Sequence, residues 1–182
     1  MLTQKRTSII NAGIYLIVIP IISLILVAFS NRQGYHVLGE EENDSTRQTE
    51  LIFIIPLENE NLKISSEFGN RIHPMFKKKM MHTGIDFVSH EGEMVIAPEN
   101  GVVVKSLFVE GRGNYIIIKH DDTFSTSYSH LKERMVQEGE SVKKTQVIGL
   151  VGNTGLSVRS HLHYEVLKNG DPVDPAPYLK KK

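Results

Sequence analysis

The chain of 182 residues contains no cysteine. That single absence removes disulfide scaffolds, thiolate metal sites, cysteine nucleophiles and cysteine-linked lipid anchors. Any metal must be held by imidazole and carboxylate, and eight histidines are available. An excess of positive charge is lacking as well, with 21 Lys and Arg against 21 Asp and Glu. A basic nucleic-acid-binding surface is therefore not expected. After residue 50 no segment keeps a helical period over eleven residues, and there is no heptad or internal repeat. The helical His-Glu-x-x-His motif of many metallopeptidases is also missing.

The N-terminal end is different. Residues 9–29 (IINAGIYLIVIPIISLILVAF) carry no charge, and a helix of that length reaches about 31 Å, the thickness of a hydrocarbon core. Lys5 and Arg6 precede the run, and Glu40, Glu41, Glu42 and Asp44 follow it. This bias places residues 1–8 in the cytoplasm and everything after residue 30 outside. A cleaved signal peptide is the competing reading, since Ala28-Phe29-Ser30 offers small residues for cleavage, but its apolar region is unusually long. The run is read as a single-pass transmembrane anchor. Residues 30–50, polar and acidic without apolar period, read as a flexible linker that holds residues 51–182 near the membrane surface.

Residues 51–182 have an all-β pattern. Apolar or alternating runs at 51–55, 101–108, 114–120, 124–131, 146–152 and 161–168 are separated by turn segments such as Gly111-Arg112-Gly113-Asn114 and Asn169-Gly170-Asp171-Pro172. Short strands at this spacing predict a mostly antiparallel sheet arranged as a compact barrel or sandwich.

Four small features carry chemistry. His82 and Asp86 stand four apart in His82-Thr83-Gly84-Ile85-Asp86, where one strand would put both on one side. His161 and His163 alternate with apolar residues, so both project from one face of a strand. Tyr128 and His130 share a face by the same period. Phe68-Gly69-Asn70-Arg71-Ile72-His73-Pro74 reads as a turn in which Arg71 can clamp a carboxylate of the fold or of a substrate. Each alone is compatible with ordinary solvated or hairpin residues.

Their order is specific. Phe-Gly-x-Arg-x-x-Pro, His-x3-Asp, Tyr-x-His-Leu and His-x-His follow one another in an all-β, extracytoplasmic setting. Over residues 60–178 the chain resembles the lysostaphin/LytM-type zinc metallopeptidases that cut bacterial cell-wall peptides. The resemblance implies a groove walled by loops on an antiparallel sheet. It also implies one Zn2+ held by His82, Asp86 and His163, with His130 and His161 as catalytic histidines beside the reacting water. Tyr128 and Arg71 are implied as substrate-lining residues, Arg71 with a structural role as the alternative. Three protein ligands leave a fourth position for water, whose pKa such a metal lowers toward 7. Imidazoles with ordinary pKa values near 6.5 suit the proton transfers. His36, His73, His90 and His120 are expected to be bystanders, and Lys77, Lys78 and Lys79 a solvated loop.

The implied substrate is peptidoglycan peptide, cut at a glycine bridge or at a D-amino-acid cross-link. After Pro177 only Tyr-Leu-Lys-Lys-Lys remains, so localisation is expected to come from the membrane anchor rather than a wall-binding module. The alternative is a membrane-anchored scaffold or activator of the same domain type that binds an extracytoplasmic protein partner with little catalysis. A scaffold has no need of all five of His82, Asp86, His130, His161 and His163.

Overall fold

The structure, a computed structural model, describes residues 52–58 and 62–180. The predicted anchor (9–29) and linker (30–50) lie outside the described residues. Among the described residues no helix is long and apolar enough to cross a membrane.

Over the described residues the chain is all-β, as the pattern of short alternating runs requires. Its strands are β1 (Phe53–Ile54), β2 (Ile64–Ser66), β3 (Gly69–Ile72), β4 (Lys79–His82), β5 (Ile85–Val88), β6 (Met94–Ile96), β7 (Gly101–Val109), β8 (Gly113–Lys119), β9 (Phe124–Arg134), β10 (Ser141–Val142), β11 (Val147–Val151), β12 (His161–Lys168), β13 (Asp171–Val173) and β14 (Leu179–Lys180). A 3-10 turn, Ala176–Tyr178, precedes β14. The large sheet runs β10-β7-β8-β9-β12-β5-β2, with β11 paired to β6 and β9, and β13 to β12. Among the described residues every strand pair in it is antiparallel, β3 and β4 form a separate antiparallel hairpin, and β1–β14 is the parallel pair.

The runs read as strands from the sequence contain strands, that at 51–55 only at Phe53–Ile54, and β12 spans the predicted residues 161–168. The remaining strands are two to four residues long, too short to show a period. Two local expectations are corrected. Phe68–Pro74 is not simply a turn: Gly69–Ile72 is β3, and the turn follows, closed by the His73 N–H to Lys78 C=O bond of 2.8 Å. His82 and Asp86 do not share one strand, because β4 ends at His82 and β5 begins at Ile85.

Strand alternation builds the core. Leu162, Tyr164 and Val166 of β12 turn inward and pack with Ile85, Phe87, Ile116, Ile118, Tyr128 and Leu131. His161, His163 and Glu165 occupy the other face of β12, since side chains alternate along a strand. One face of the central strand is thus the apolar core, and the other is the floor of a polar site.

Candidate metal centre

Strand register brings the site together. His163 on β12 sits directly opposite Asp86 on β5, and on its other side opposite Ser129 on β9. His82 arrives at the end of β4, paired with Gly69 of β3. The chain passes from His82 to Asp86 through Thr83-Gly84, and the glycine is required by a close approach. A Cβ at Gly84 would lie 2.3 Å from the Tyr164 carbonyl oxygen and 2.9 Å from Glu165 Cγ.

His82, Asp86 and His163 are all buried and converge on one point. His82 Nε2 lies 3.1 Å from both Asp86 Oδ1 and His163 Nδ1, and His163 Nδ1 lies 2.8 Å from Asp86 Oδ1. The far sides of the rings determine what these atoms are. His82 Nδ1 is 2.7 Å from the Glu67 carbonyl oxygen, which can only accept, so Nδ1 carries the proton and Nε2 a lone pair. His163 Nε2 faces the Glu165 carboxylate at 3.3 Å, so its lone pair is on Nδ1. Two imidazole lone pairs and a carboxylate oxygen about 3 Å apart repel one another unless a proton or a metal cation lies between them. Ligand atoms around a tetrahedral metal with bonds near 2.05 Å are separated by about 3.3 Å, so the three donors fit a small divalent cation.

Burial alone would raise the Asp86 pKa, but donation from the His163 and His82 rings whenever those nitrogens are protonated outweighs it and holds the carboxyl well below the usual carboxylate range. Arg71 is ion-paired with the same carboxylate, its Nη2 3.3 Å from Asp86 Oδ2. Arg71 therefore backs Asp86 and also lines the groove.

His130 and His161 stand beside the triad, their ring centroids 4.9 Å apart. Each is pinned through Nδ1 by a backbone carbonyl at 2.8 Å, Thr154 for His130 and Arg159 for His161. Both present Nε2 as a free base, and that of His161 is 3.6 Å from Asp86 Oδ1. Burial pushes the His130 pKa down to about 4 and lowers that of His161. Both rings are neutral at pH 7, the state a proton acceptor needs.

Tyr128 is placed differently from the expectation. Its side chain is 0% exposed in the core, and its hydroxyl is bonded to Thr126 Oγ1 at 2.7 Å. The cause is a bulge. Tyr128 and Leu131 of β9 pair with Ile116 and Asn114 of β8, three steps against two. The extra residue is absorbed at His130, whose φ is +63°, a left-handed conformation uncommon outside glycine. Ser129 and His130 consequently both line the groove while Tyr128 and Leu131 both enter the core. Simple alternation, which put Tyr128 and His130 on one face, fails at that residue.

Glu165 was not singled out from the sequence, although it continues the alternation of His161 and His163. It is 1% exposed and ion-paired with Arg112, its Oε2 2.6 Å from Nη1. Among the described residues, His73, His90 and His120 are not part of the cluster. His73 accepts the turn amides of Met75 and Phe76. His120 bonds the Asn100 carbonyl and Thr126 and packs on Phe53, and His90 is exposed beside Glu93.

The five convergent residues open into a groove of about 570 Å3, lined also by Met75, Phe76 and Met80 of the β3–β4 hairpin and by Leu156, Val158 and Arg159 before β12. Lys77, Lys78 and Lys79 are exposed, as expected of a solvated loop.

Comparison with known proteins agrees with this geometry. Residues 80–175 match the profile described as Peptidase family M23. A protein named peptidoglycan DD-endopeptidase ShyC, from Vibrio cholerae, is 42% identical over 114 residues, covering 62% of this chain and 26% of that protein. The chain thus spans about a quarter of the length of the curated relative it matches. Among solved structures, a zinc-containing peptidase from Vibrio cholerae aligns at TM-score 0.63 and 34% identity, over 68% of this chain and 39% of that one. The catalytic domain of lysostaphin from Staphylococcus simulans aligns at TM-score 0.60 and 31% identity, over 65% of this chain and 92% of that one.

Proposed function

The chain belongs to Peptidase family M23, and on that premise we propose that its outer domain is a zinc-dependent endopeptidase of bacterial peptidoglycan. The observation that carries the reading is the convergence of three lone-pair atoms, 2.8–3.1 Å apart, beside two half-buried imidazoles. Zinc suits the donor set of two histidines and one aspartate with no thiolate. It would be held by His82 Nε2, Asp86 Oδ1 and His163 Nδ1. When bound it supplies a Lewis acid that polarises the scissile carbonyl and acidifies water.

The remaining chemistry belongs to this chain. His130 and His161, kept neutral by burial, share the proton taken from the attacking water and deliver it to the leaving amine as the C–N bond breaks. As imidazolium, either ring stabilises the negative charge that develops on the carbonyl oxygen. The hairpin and the loop before β12 provide apolar and cationic surface for an extended peptide. The name of the 42%-identical relative favours D-amino-acid cross-links of stem peptides over glycine bridges.

The uncharged run at 9–29 supports a single-pass tether that keeps the domain on the outer side of the cell membrane. A purely scaffolding role leaves the five convergent residues without a purpose, although an active domain can also engage a protein partner. The test is zinc content and muropeptide release by the purified full chain. One equivalent of zinc with cleaved cross-links is expected. A chain that binds zinc weakly and releases nothing would sink the proposal.

A further inference from the structure

Glu165 makes more contacts with the site than a surface carboxylate could. Its Oε1 accepts from His163 Nε2 at 3.3 Å, from Arg112 Nη2 at 3.1 Å and from Thr83 Oγ1, while Oε2 accepts from Arg112 Nη1 at 2.6 Å. These donors come from three separate stretches of chain. His163 is a ligand candidate on Glu165's own strand. Thr83 is the residue after His82. Arg112 lies in the turn between β7 and β8, and its carbonyl accepts the His130 N–H at 2.8 Å. The same turn is fastened to the 152–155 loop, where Gly113 and Gly155 approach too closely for a side chain, and Thr154 there accepts from His130 Nδ1.

We propose that Glu165 is the positioning residue of the metal centre, locking His163 with Nδ1 toward the metal while anchoring the Arg112 turn that carries His130. The inference rests on the zinc-peptidase reading and deepens it. An imidazole can present either nitrogen, and the strand backbone does not choose between them. A carboxylate behind Nε2 does choose, because it accepts only from a protonated nitrogen, and its charge makes the ring a stronger donor to a metal. Arg112 then solves the problem that the carboxylate creates. A carboxylate with 1% exposure must be paired, and the planar guanidinium satisfies both oxygens at once. Arg112 further stacks over the Tyr115 ring at 5.0 Å, which fixes the turn from its outer side. One buried carboxylate thus bears on a ligand, on the neighbour of another ligand and, through backbone, on a catalytic histidine.

The test uses the full chain with Zn2+ and Co2+ as probes. Zinc affinity is measured by competition with a chelator, and the visible absorption of the Co2+ form reports ligand geometry. Glu165→Ala is expected to weaken zinc binding about 10- to 100-fold and to alter the Co2+ spectrum. Glu165→Gln keeps an acceptor oxygen behind Nε2 and is expected to recover part of that affinity and the native Co2+ bands. Should Glu165→Ala fail to fold, Glu165→Gln decides alone: weaker zinc binding than wild type supports the role, and equal binding overturns it. Folded Glu165→Ala with wild-type affinity and spectrum also overturns it. A wild-type chain without zinc affinity overturns the zinc reading itself, and this inference with it.

Discussion

His161 and His163 stand two residues apart on one strand yet turn opposite nitrogens toward Asp86. His163 approaches Oδ1 with Nδ1 at 2.8 Å, and His161 with Nε2 at 3.6 Å. The difference follows from what holds each ring from behind, the Glu165 carboxylate at Nε2 of His163 and the Arg159 carbonyl at Nδ1 of His161. One ring belongs to the triad of donors and the other stands next to it.

That difference separates two kinds of variant. His163→Ala or Asp86→Ala is expected to lose bound zinc and all turnover. His161→Ala is expected to keep one equivalent of zinc while turnover drops about 100- to 10,000-fold. Metal analysis alongside a muropeptide assay checks both, and a metal-free His161→Ala protein would exchange the roles assigned to the two rings.

Tyr128→Phe tests the bulge. Its hydroxyl bonds only Thr126 within the core, so the variant is expected to cost about 1 kcal/mol in urea unfolding and to leave kcat and KM within twofold of wild type. A large fall in kcat with stability intact would place the phenol at the substrate after all.

Gly84→Ala is expected to be strongly destabilising. The added methyl would sit 2.3 Å from a backbone oxygen of β12, and separating β5 from β12 costs about 2–3 kcal/mol or more. Because the same movement pulls Thr83 from Glu165, zinc affinity falls with stability. A variant melting at the wild-type temperature would contradict the close approach.

The pH dependence of stability has a definite sign. His130 titrates near pH 4 when folded and near 6.5 when unfolded, so below 6.5 the unfolded chain binds the extra proton. Its contribution to stability is complete above pH 6.5 and is lost as pH falls toward 4, amounting to at most about 3 kcal/mol. In the chelated protein His130→Asn is expected to flatten this part of the melting-temperature profile. An unchanged slope would mean that His130 is protonated in the folded state.

Much of this was legible in the chain itself. The run HLHYEVLK alternates polar and apolar residues so cleanly that its strand limits and its two faces follow from the pattern alone, because side chains alternate between the faces of a strand and the core side takes the apolar set. The absence of cysteine limited a metal to histidine and carboxylate, and the order of four motifs named His82, Asp86, His130, His161 and His163 as a set. Tertiary structure decided what no local pattern carries. The left-handed residue at His130 shifts the parity of β9 and sends Tyr128 inward, since one extra residue in a strand exchanges its faces. The pairing of Glu165 with Arg112, 53 residues apart, and the choice of nitrogen on each imidazole depend on groups brought together only when the sheet closes. The residue types able to hold a metal are written in the sequence, and their arrangement around one point is a property of strand register.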